Sequence, residues 1–330
     1  MKDTSIIIPI DLSQRPLDIL RKASQLAELA QQEKTPLILA HNDHGESSDK
    51  ALKNKLQGYS CTTLVSQQFY TGAVNPALLR NKAFEYVDTT YLVLLDVDIW
   101  PDFKLLGKYQ SLVAAGKFPF YFLPCLYLTA KGSTDLCTGR VTPEALNQKY
   151  FAFSRKEFLH LASPSSITVM KSEDYLRIGM FDEAYSGHGY EDFDFMMRLA
   201  KHYEVLQPCN EMMNSKVARS PLFASGFRRA LGRLSIDALL EKDFTYHLFH
   251  ERPSVSAHKQ KRNDNFARFV SRHQGDWGTA TSRTLLEDFI EACRNGGRDL
   301  DEYSALFENK PGHIDRFDTF KRRLRFLLND

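Results

Sequence analysis

The stretch Tyr91-Leu-Val-Leu-Leu-Asp96-Val-Asp98-Ile-Trp-Pro101 constrains this chain more than any other. A short apolar run, bounded by turn chemistry at Pro101-Asp102, predicts a buried strand. Side chains alternate along a strand, so Asp96 and Asp98 are expected to point the same way at its end. Two carboxylates emerging together repel each other unless positive charge lies between them. A hard divalent cation that also carries phosphate oxygens is one occupant for such a pair. The other reading is a pair of solvated turn acids, or an acid capping the next helix.

The chain has 330 residues, 43% of them hydrophobic, enough for one large core or two modest ones. A formal net charge of +2 excludes a global polyanion-binding character, and no nucleic-acid partner is expected. The five cysteines, Cys61, Cys125, Cys137, Cys209 and Cys293, are scattered and never form a Cys-x-x-Cys pair. This argues for free thiols in a reducing compartment, against structural zinc and against a disulfide framework. The apolar part of Met1 to Ile10 is too short for a signal peptide. Phe118 to Leu128 is apolar but interrupted by Pro119 and Pro124, so no membrane span is expected and the location implied is cytoplasmic.

Ser5 to Ile10 predicts a first strand and Arg15 to Gln32 a helix, with Leu20, Ala23, Leu26, Ala27 and Ala30 at helical spacing. Pro36 to Ala40 and Leu64 to Phe69 predict two further strands. Asn75 to Tyr86 predicts a helix, followed by the strand that leads to Asp96. This alternation is that of a doubly wound α/β sheet. Ligands gather at the carboxyl ends of such strands, where Asp11, Asp43 and the pair Asp96/Asp98 all fall. Phe118 to Ile167 mixes aromatic runs with Gly, Thr and Asn turns and gives no clear periodicity. Val169 to Ile178 reads as a strand or turn entering a short helix. The last hundred or so residues read as mostly helical and polar.

A second acidic cluster, Glu191, Asp192 and Asp194, opens an amphipathic helix from Glu191 to His202 with Phe193, Met196, Met197 and Ala200 along one stripe. Acids at a helix N-terminus cap orphan amides and suit the helix dipole. Three acids exceed that need, and Gly187 and Gly189 before them allow a close approach to the backbone. A carboxylate fixed there could take the proton from an attacking hydroxyl, without a strongly raised pKa, because the hydroxyl acidifies as its new bond forms. Further on, His247 and His250 are spaced for one face of a helix, as a zinc pair would be, though no His-Glu-x-x-His pattern is completed. One imidazole in an oxygen-rich Mn²⁺ site is the alternative, and a half-buried structural histidine a third reading. Lys259, Lys261 and Arg262 could cover a diphosphate or simply form a solvated basic loop.

Taken in order, these motifs resemble an inverting glycosyltransferase of the GT-A fold. They comprise an Ile-Pro first strand, an Asp after the second strand, Asn75-x-x-x-x-Arg80-Asn81, the aspartate pair, Gly187-His-Gly-Tyr-Glu-Asp192, then a His. The likeness runs from about Ser5 to Asn265. It is closest to bacterial capsule and lipopolysaccharide transferases of family 2, with Phe181-Asp-Glu and the glycine loop similar to the β4-galactosyltransferase and chondroitin-polymerase group.

The resemblance implies a Rossmann-like, mostly parallel sheet flanked by helices over residues 1–265, with a helical extension over 266–330. It implies that Asp43 binds the nucleotide base, with Pro9 and Ile10 lining the same pocket. Arg80 and Lys259 would approach the phosphates or the donor sugar. Asp98 would ligate Mn²⁺ or Mg²⁺, Asp96 would hold the ribose or a water on the metal, and His250, or alternatively His247, would be a further ligand. Asp192 would be the base, and Glu191 would hold a sugar. The donor implied is a nucleotide sugar, UDP favoured, and the acceptor a glycan or lipid-linked hydroxyl.

His188 and Tyr190 stand where the galactosyltransferase group often has Trp, so donor preference does not transfer. The Gln-x-x-Arg-Trp signature of processive synthases is absent. A nucleotidyltransferase is disfavoured because Ile10 to Arg15 contains no glycine, and retention of Asp96, Asp98, Asp192 and His250 disfavours a non-catalytic binding partner. Arg316 to Leu328 predicts a basic amphipathic helix that could pack on the domain or lie on an anionic membrane.

Overall fold

A computed structural model describes residues 1, 3–154, 156–251, 256–275, 277 and 280–308, without the side chains of 256–260. The expected helix at Arg316 to Leu328 lies outside the described residues. In chain order come β1 (Thr4–Asp11), α1 (Pro16–Gln32), β2 (Leu37–Asn42), α2 (Ser47–Leu56), β3 (Thr62–Gln67), α3 (Pro76–Phe84) and β4 (Tyr91–Leu94). Next are β5 (Ile99–Trp100), α4 (Phe103–Ala114), β6 (Phe120–Phe122), β7 (Cys125–Leu128), α5 (Ala130–Cys137), α6 (Pro143–Phe151) and β8 (Phe158–Ala162). Then follow β9 (Thr168–Lys171), α7 (Ser172–Arg177), α8 (Glu191–His202), α9 (Gly226–Gly232), α10 (Ile236–Leu240) and β10 (Thr245–His247). The last described elements are α11 (Ser256–His273), α12 (Leu285–Asn295) and α13 (Ser304–Phe307).

Two compact units result. The first comprises Met1–Tyr121, Ser166–Val205 and Glu251–His273, the second Phe122–Ser165, Leu206–His250 and Gln274–Asp330. The first is built on a sheet ordered β3-β2-β1-β4-β9-β6. Strands β3, β2, β1 and β4 run parallel, and β9 pairs antiparallel to β4. A parallel sheet is covered on both faces, which explains why Ile6, Ile7, Ile8 and Ile10 form a near-continuous buried run. Helix α1 turns Ile19, Ala23, Leu26, Ala27 and Ala30 inward, and Lys22 shares that buried stripe.

α2 escapes the periodicity because its only buried apolar residues are Leu52 and Leu56. It is started instead by a capping box between Glu46 and Asp49. In α8 the buried face is Phe195, Met196, Met197, Leu199 and Ala200, whereas Phe193 is only half-buried.

Two local expectations are corrected. Strand β4 ends at Leu94, whose partners are Ile7 and Thr168. Beyond it Ile99 donates its N–H to Asp96 O at 3.0 Å. Asp96 and Asp98 therefore stand on a turn, and strand alternation does not set their directions. His247 is the last residue of β10 and His250 lies in the loop after it, so the two do not share a helix face.

In the second unit β7 runs parallel to β10 and antiparallel to β8. Tyr150, Phe151, Phe244 and Tyr303 form an aromatic core, with Phe158 against Tyr150. Tyr246 is buried and donates its hydroxyl to Pro143 O and Asn147 Oδ1, each at 2.7 Å. The Phe249 N–H donates to Ser133 Oγ at 2.6 Å, so both sides of His247 are fixed.

Gly132 of α5 lies so close to the 157 backbone that an added Cβ would sit 2.4 Å from Glu157 O. Gly132→Ala is predicted to destabilise the protein by ~1–3 kcal/mol through overpacking. A lower urea midpoint measures this, and an unchanged midpoint contradicts the contact.

Candidate functional site

The aspartates after β4 take separate partners, both within the first unit. Asp98 is buried, and its carboxylate accepts from Lys22 Nζ at 2.6 Å and from Arg15 Nη1 and Nη2 at 3.1 and 2.8 Å. Lys22 Nζ also reaches Asp18 at 2.9 Å. Asp96 turns the other way. Its Oδ1 accepts from Arg80 Nη2 at 2.5 Å and its Oδ2 from the Ser166 hydroxyl at 2.9 Å.

Arg80 is positioned by the helix that carries it. Asn75 caps α3, accepting from Leu78 N at 2.9 Å, and donates to Glu183 O at 2.8 Å. Asn81, next to Arg80, donates to Phe181 O and Glu183 Oε1 and accepts from Phe181 N and the Tyr175 hydroxyl. Arg80 is thereby directed inward. Only 2% of its side chain is exposed, and besides Asp96 it meets Asp192 Oδ1 at 3.2 Å. Burial works against its charge, but Asp192, Asp96 and Glu191 together hold its pKa above the usual value.

At the start of α8 the three acids divide into two roles. Asp194 is fully buried and accepts from His273 Nε2 at 2.8 Å and Arg198 Nε at 2.9 Å, with Arg272 Nε at 3.3 Å. Burial alone would raise its pKa, yet His273, Arg198 and Arg272 hold it below the ordinary value. It is a structural anchor between α8 and α11.

Glu191 and Asp192 face Arg80 instead. Desolvation raises the Glu191 pKa against the pull of Arg80. For Asp192 desolvation, reinforced by Glu191 and Asp96 and opposed by Arg80, pushes the pKa up to about 8. The Asp192 side chain is still 27% exposed and so reachable from solvent. The strong rise exceeds the sequence expectation, because burial desolvates the carboxylate and Glu191 and Asp96 add to that against one shared guanidinium.

The glycine loop before α8 serves packing. Gly187 and Gly189 have φ of +77° and +104°, and a Cβ on them would meet Lys261 and Arg262 at 3.3 and 3.2 Å. Asn265 Nδ2 donates to Ser186 O and Gly189 O, both at 3.0 Å, and Arg262 lies over the Tyr190 ring. Lys261 and Arg262 thus lie on this loop. The Lys259 side chain is outside the described residues.

At the other strand ends, Pro9 is half-buried and Ile10 wholly buried. Asp43 follows β2. A hydrogen bond from Lys53, then one from Gly45 N, lowers its pKa. Asp11 accepts from the Tyr70 hydroxyl at 2.7 Å and lies 3.2 Å from His44 Nε2. Burial would raise its pKa, but Ser13 and Tyr70 outweigh that. In the second unit Tyr127 stacks between His160 and His247 at 4.2 and 4.1 Å, and the His247 and His250 rings lie 5.4 Å apart. Carboxylate oxygens and imidazole nitrogens are a donor set that borderline divalent ions such as Mn²⁺ accept.

The residues missed from sequence are the hydrogen-bond and ion-pair partners of the acids. Lys22 had a signal, being a charge inside the apolar stripe of α1. Arg15, Ser166, His44 and Tyr70 had none, since only the fold brings them to their partners.

A mostly parallel sheet flanked by helices, with acids clustered at its carboxyl edge, is the arrangement of a GT-A glycosyltransferase. The chain belongs to the family described as Glycosyltransferase like family 2, whose model matches residues 5–273. No curated protein matches it. Among solved structures it is similar to Staphylococcus aureus TarS 1-349, 14% identical over 59% of this chain and 54% of that one, with a TM-score of 0.37. It therefore spans about half the length of that TarS chain. A mannosyltransferase from Pyrobaculum calidifontis, in complex with GDP-Man and Mn²⁺, is 14% identical over 92% and 72% of the two chains at 0.45. The catalytic domain of Drosophila β1,4-galactosyltransferase 7, in complex with xylobiose, is 14% identical over 59% of each at 0.31.

The separation of roles within α8 has a measurable consequence. Asp194→Ala leaves His273, Arg198 and Arg272 without their buried acid and is predicted to cost ~3–5 kcal/mol. Urea unfolding measures this, and a loss below ~1 kcal/mol contradicts the anchoring role.

Proposed function

We propose that this chain transfers a sugar, with inversion, from a nucleotide diphosphate sugar to an acceptor hydroxyl, with Asp192 as the base. The observation that supports this most is Asp192 itself. It is a solvent-reachable carboxylate beside Arg80, Glu191 and Asp96, with a pKa pushed up to about 8 by desolvation first and by its acidic neighbours second. Ionised, it takes the acceptor proton as the hydroxyl oxygen bonds to the anomeric carbon and the diphosphate departs from the opposite face. A general base contributes ~10²–10⁴-fold to such a step, most effectively when its pKa lies near the working pH. Glu191, buried alongside, holds a hydroxyl of donor or acceptor sugar.

Pro9, Ile10 and Asp43 at the ends of β1 and β2 are proposed to hold the nucleotide base, with UDP as the favoured donor nucleotide. Mn²⁺ or Mg²⁺, with Asp98 and His250 as proposed ligands and His247 as the alternative, would supply Lewis-acid stabilisation of charge on the leaving diphosphate. Asp96 would hold the ribose or a water on the metal. The proposed acceptor is a glycan or lipid-linked hydroxyl in surface polysaccharide synthesis, and residues 1–265 are the proposed catalytic part. Among the described residues no helix is long and apolar enough to cross a membrane. Peripheral membrane contact through the basic segment Arg316 to Leu328 belongs to the same proposal.

Thermal unfolding with UDP, GDP, CMP and dTDP, each with and without Mn²⁺, tests the donor site. Ligand at a hundred times its dissociation constant adds ~2.7 kcal/mol. A shift of several degrees that needs both one nucleotide and the metal is expected, and no shift with any of them contradicts the donor reading.

Asp192→Asn is predicted to abolish transfer while nucleotide affinity stays within about twofold, since the base acts only in the transition state. Equal loss of both contradicts the base assignment. Because the raised pKa leaves Asp192 largely protonated at neutral pH, kcat/KM should climb about tenfold per unit below pH ~8 and level off above it. A flat profile from pH 6 to 9 would count against Asp192.

A further inference from the structure

We infer that Arg80 is a positioning residue of the transfer step, an internal counter-ion that holds Asp192 and Asp96 together and keeps the proposed base aimed. The inference rests on the reading of Asp192 as the base, and it replaces the expectation that Arg80 meets phosphates.

Three observations carry it. First, the guanidinium divides its two terminal nitrogens between two acids: Nη2 donates to Asp96 Oδ1 at 2.5 Å while Nη1 faces Asp192 Oδ1 at 3.2 Å. The planar fork of arginine suits this task, because each nitrogen can serve one carboxylate in a fixed relative orientation. Second, the two contacts differ in kind. The one to Asp96 is a well-formed hydrogen bond, whereas Nη1 and Asp192 Oδ1 are both buried without a hydrogen-bond partner. An ion pair of that sort stabilises the carboxylate without occupying the lone pair that must accept a proton. Glu191 Oε2 is likewise buried and unpartnered, so polar capacity for a substrate hydroxyl is concentrated beside the same guanidinium.

Third, Arg80 has little freedom to do anything else. Its guanidinium carbon lies 4.8 Å from the centroid of the Phe181 ring, and its neighbour Asn81 is bound to the backbone of Phe181 on both sides of its amide. The loop that orients Phe181 therefore also orients Arg80. Asp96 stands on the turn after β4 and Asp192 lies in the first turn of α8, so Arg80 links the turn acid to the helix that carries the proposed base.

A double-mutant cycle on the intact chain tests this without any ligand, using Arg80→Met, Asp192→Asn and the double variant. At pH 9, where Asp192 is ionised beside Arg80, Arg80→Met leaves a buried acid without its cation, so adding Asp192→Asn should recover stability. The non-additivity expected is at least about tenfold in the unfolding equilibrium constant. Additive effects would overturn the inference. If Arg80→Met does not fold, Arg80→Lys takes its place in the same cycle, with the same two outcomes.

The kinetic arm uses Arg80→Lys and the nucleotide sugar that the wild-type chain turns over. The lysine keeps the charge but loses the fork, and a fall in kcat of ~10–100-fold with donor KM within about twofold is expected. A rise in donor KM at unchanged kcat would instead return Arg80 to the phosphates. Failure of the underlying reading is distinguishable: coupling in the unfolding cycle with full transfer by Asp192→Asn would retain the ion-pair link and remove the base.

Discussion

The arrangement of this protein depends on how buried carboxylates are compensated at the open edge of a parallel sheet. Asp96, Asp98, Glu191 and Asp192 are brought close to the strand ends by β4 and α8, where ligands of such sheets gather. Left alone they would repel each other and take up protons. Two internal cations oppose this, each rooted in a helix of the same unit: Lys22 from α1 on Asp98 and Arg80 from α3 on Asp96 and Asp192, the last still raised to a pKa of about 8. A buried ion pair contributes little net stability over an apolar replacement, but removing one partner is costly. The acids and cations therefore specify one another, and the helices that carry them are held in register with the sheet.

The balance is deliberately uneven. Asp98 has Lys22 and Arg15, and Asp194 has His273, Arg198 and Arg272, so each of these acids has at least two basic partners. Glu191 and Asp192 share Arg80 with Asp96. Desolvation, only partly offset by the shared Arg80, raises the pKa of Asp192, and one of its oxygens is left without a hydrogen bond. Acids two positions apart on a single helix turn thus acquire different surroundings, one an anchor and the other the proposed base.

Much of the frame was legible in the chain itself. The buried apolar runs of β1, β2 and β4 and the stripe of α1 follow directly from periodicity, as does α8 from Glu191 to His202. α2 was not legible, because a capping box starts it and it buries only two apolar side chains of any size. The aspartate pair was recognised, but its geometry was not. Strand alternation predicts parallel side chains, whereas the turn after Leu94 sends Asp98 to Lys22 and Asp96 to Arg80. Glycines 187 and 189 suggested a backbone open to a ligand. They make room for Lys261 and Arg262 of α11, residues more than seventy positions away in the chain. Pairings of that range are set by tertiary packing, which no local pattern encodes. Lys22 is the instructive exception, since a charge within an apolar stripe announces a buried partner before that partner can be named.

The central claim is a single displacement driven by Asp192, and its most direct test is the anomeric configuration of freshly transferred sugar, read by ¹H NMR before any mutarotation or hydrolysis. An α-linked nucleotide sugar should give a β-linked product. An α-linked product would contradict the single displacement and, with it, the role given to Asp192.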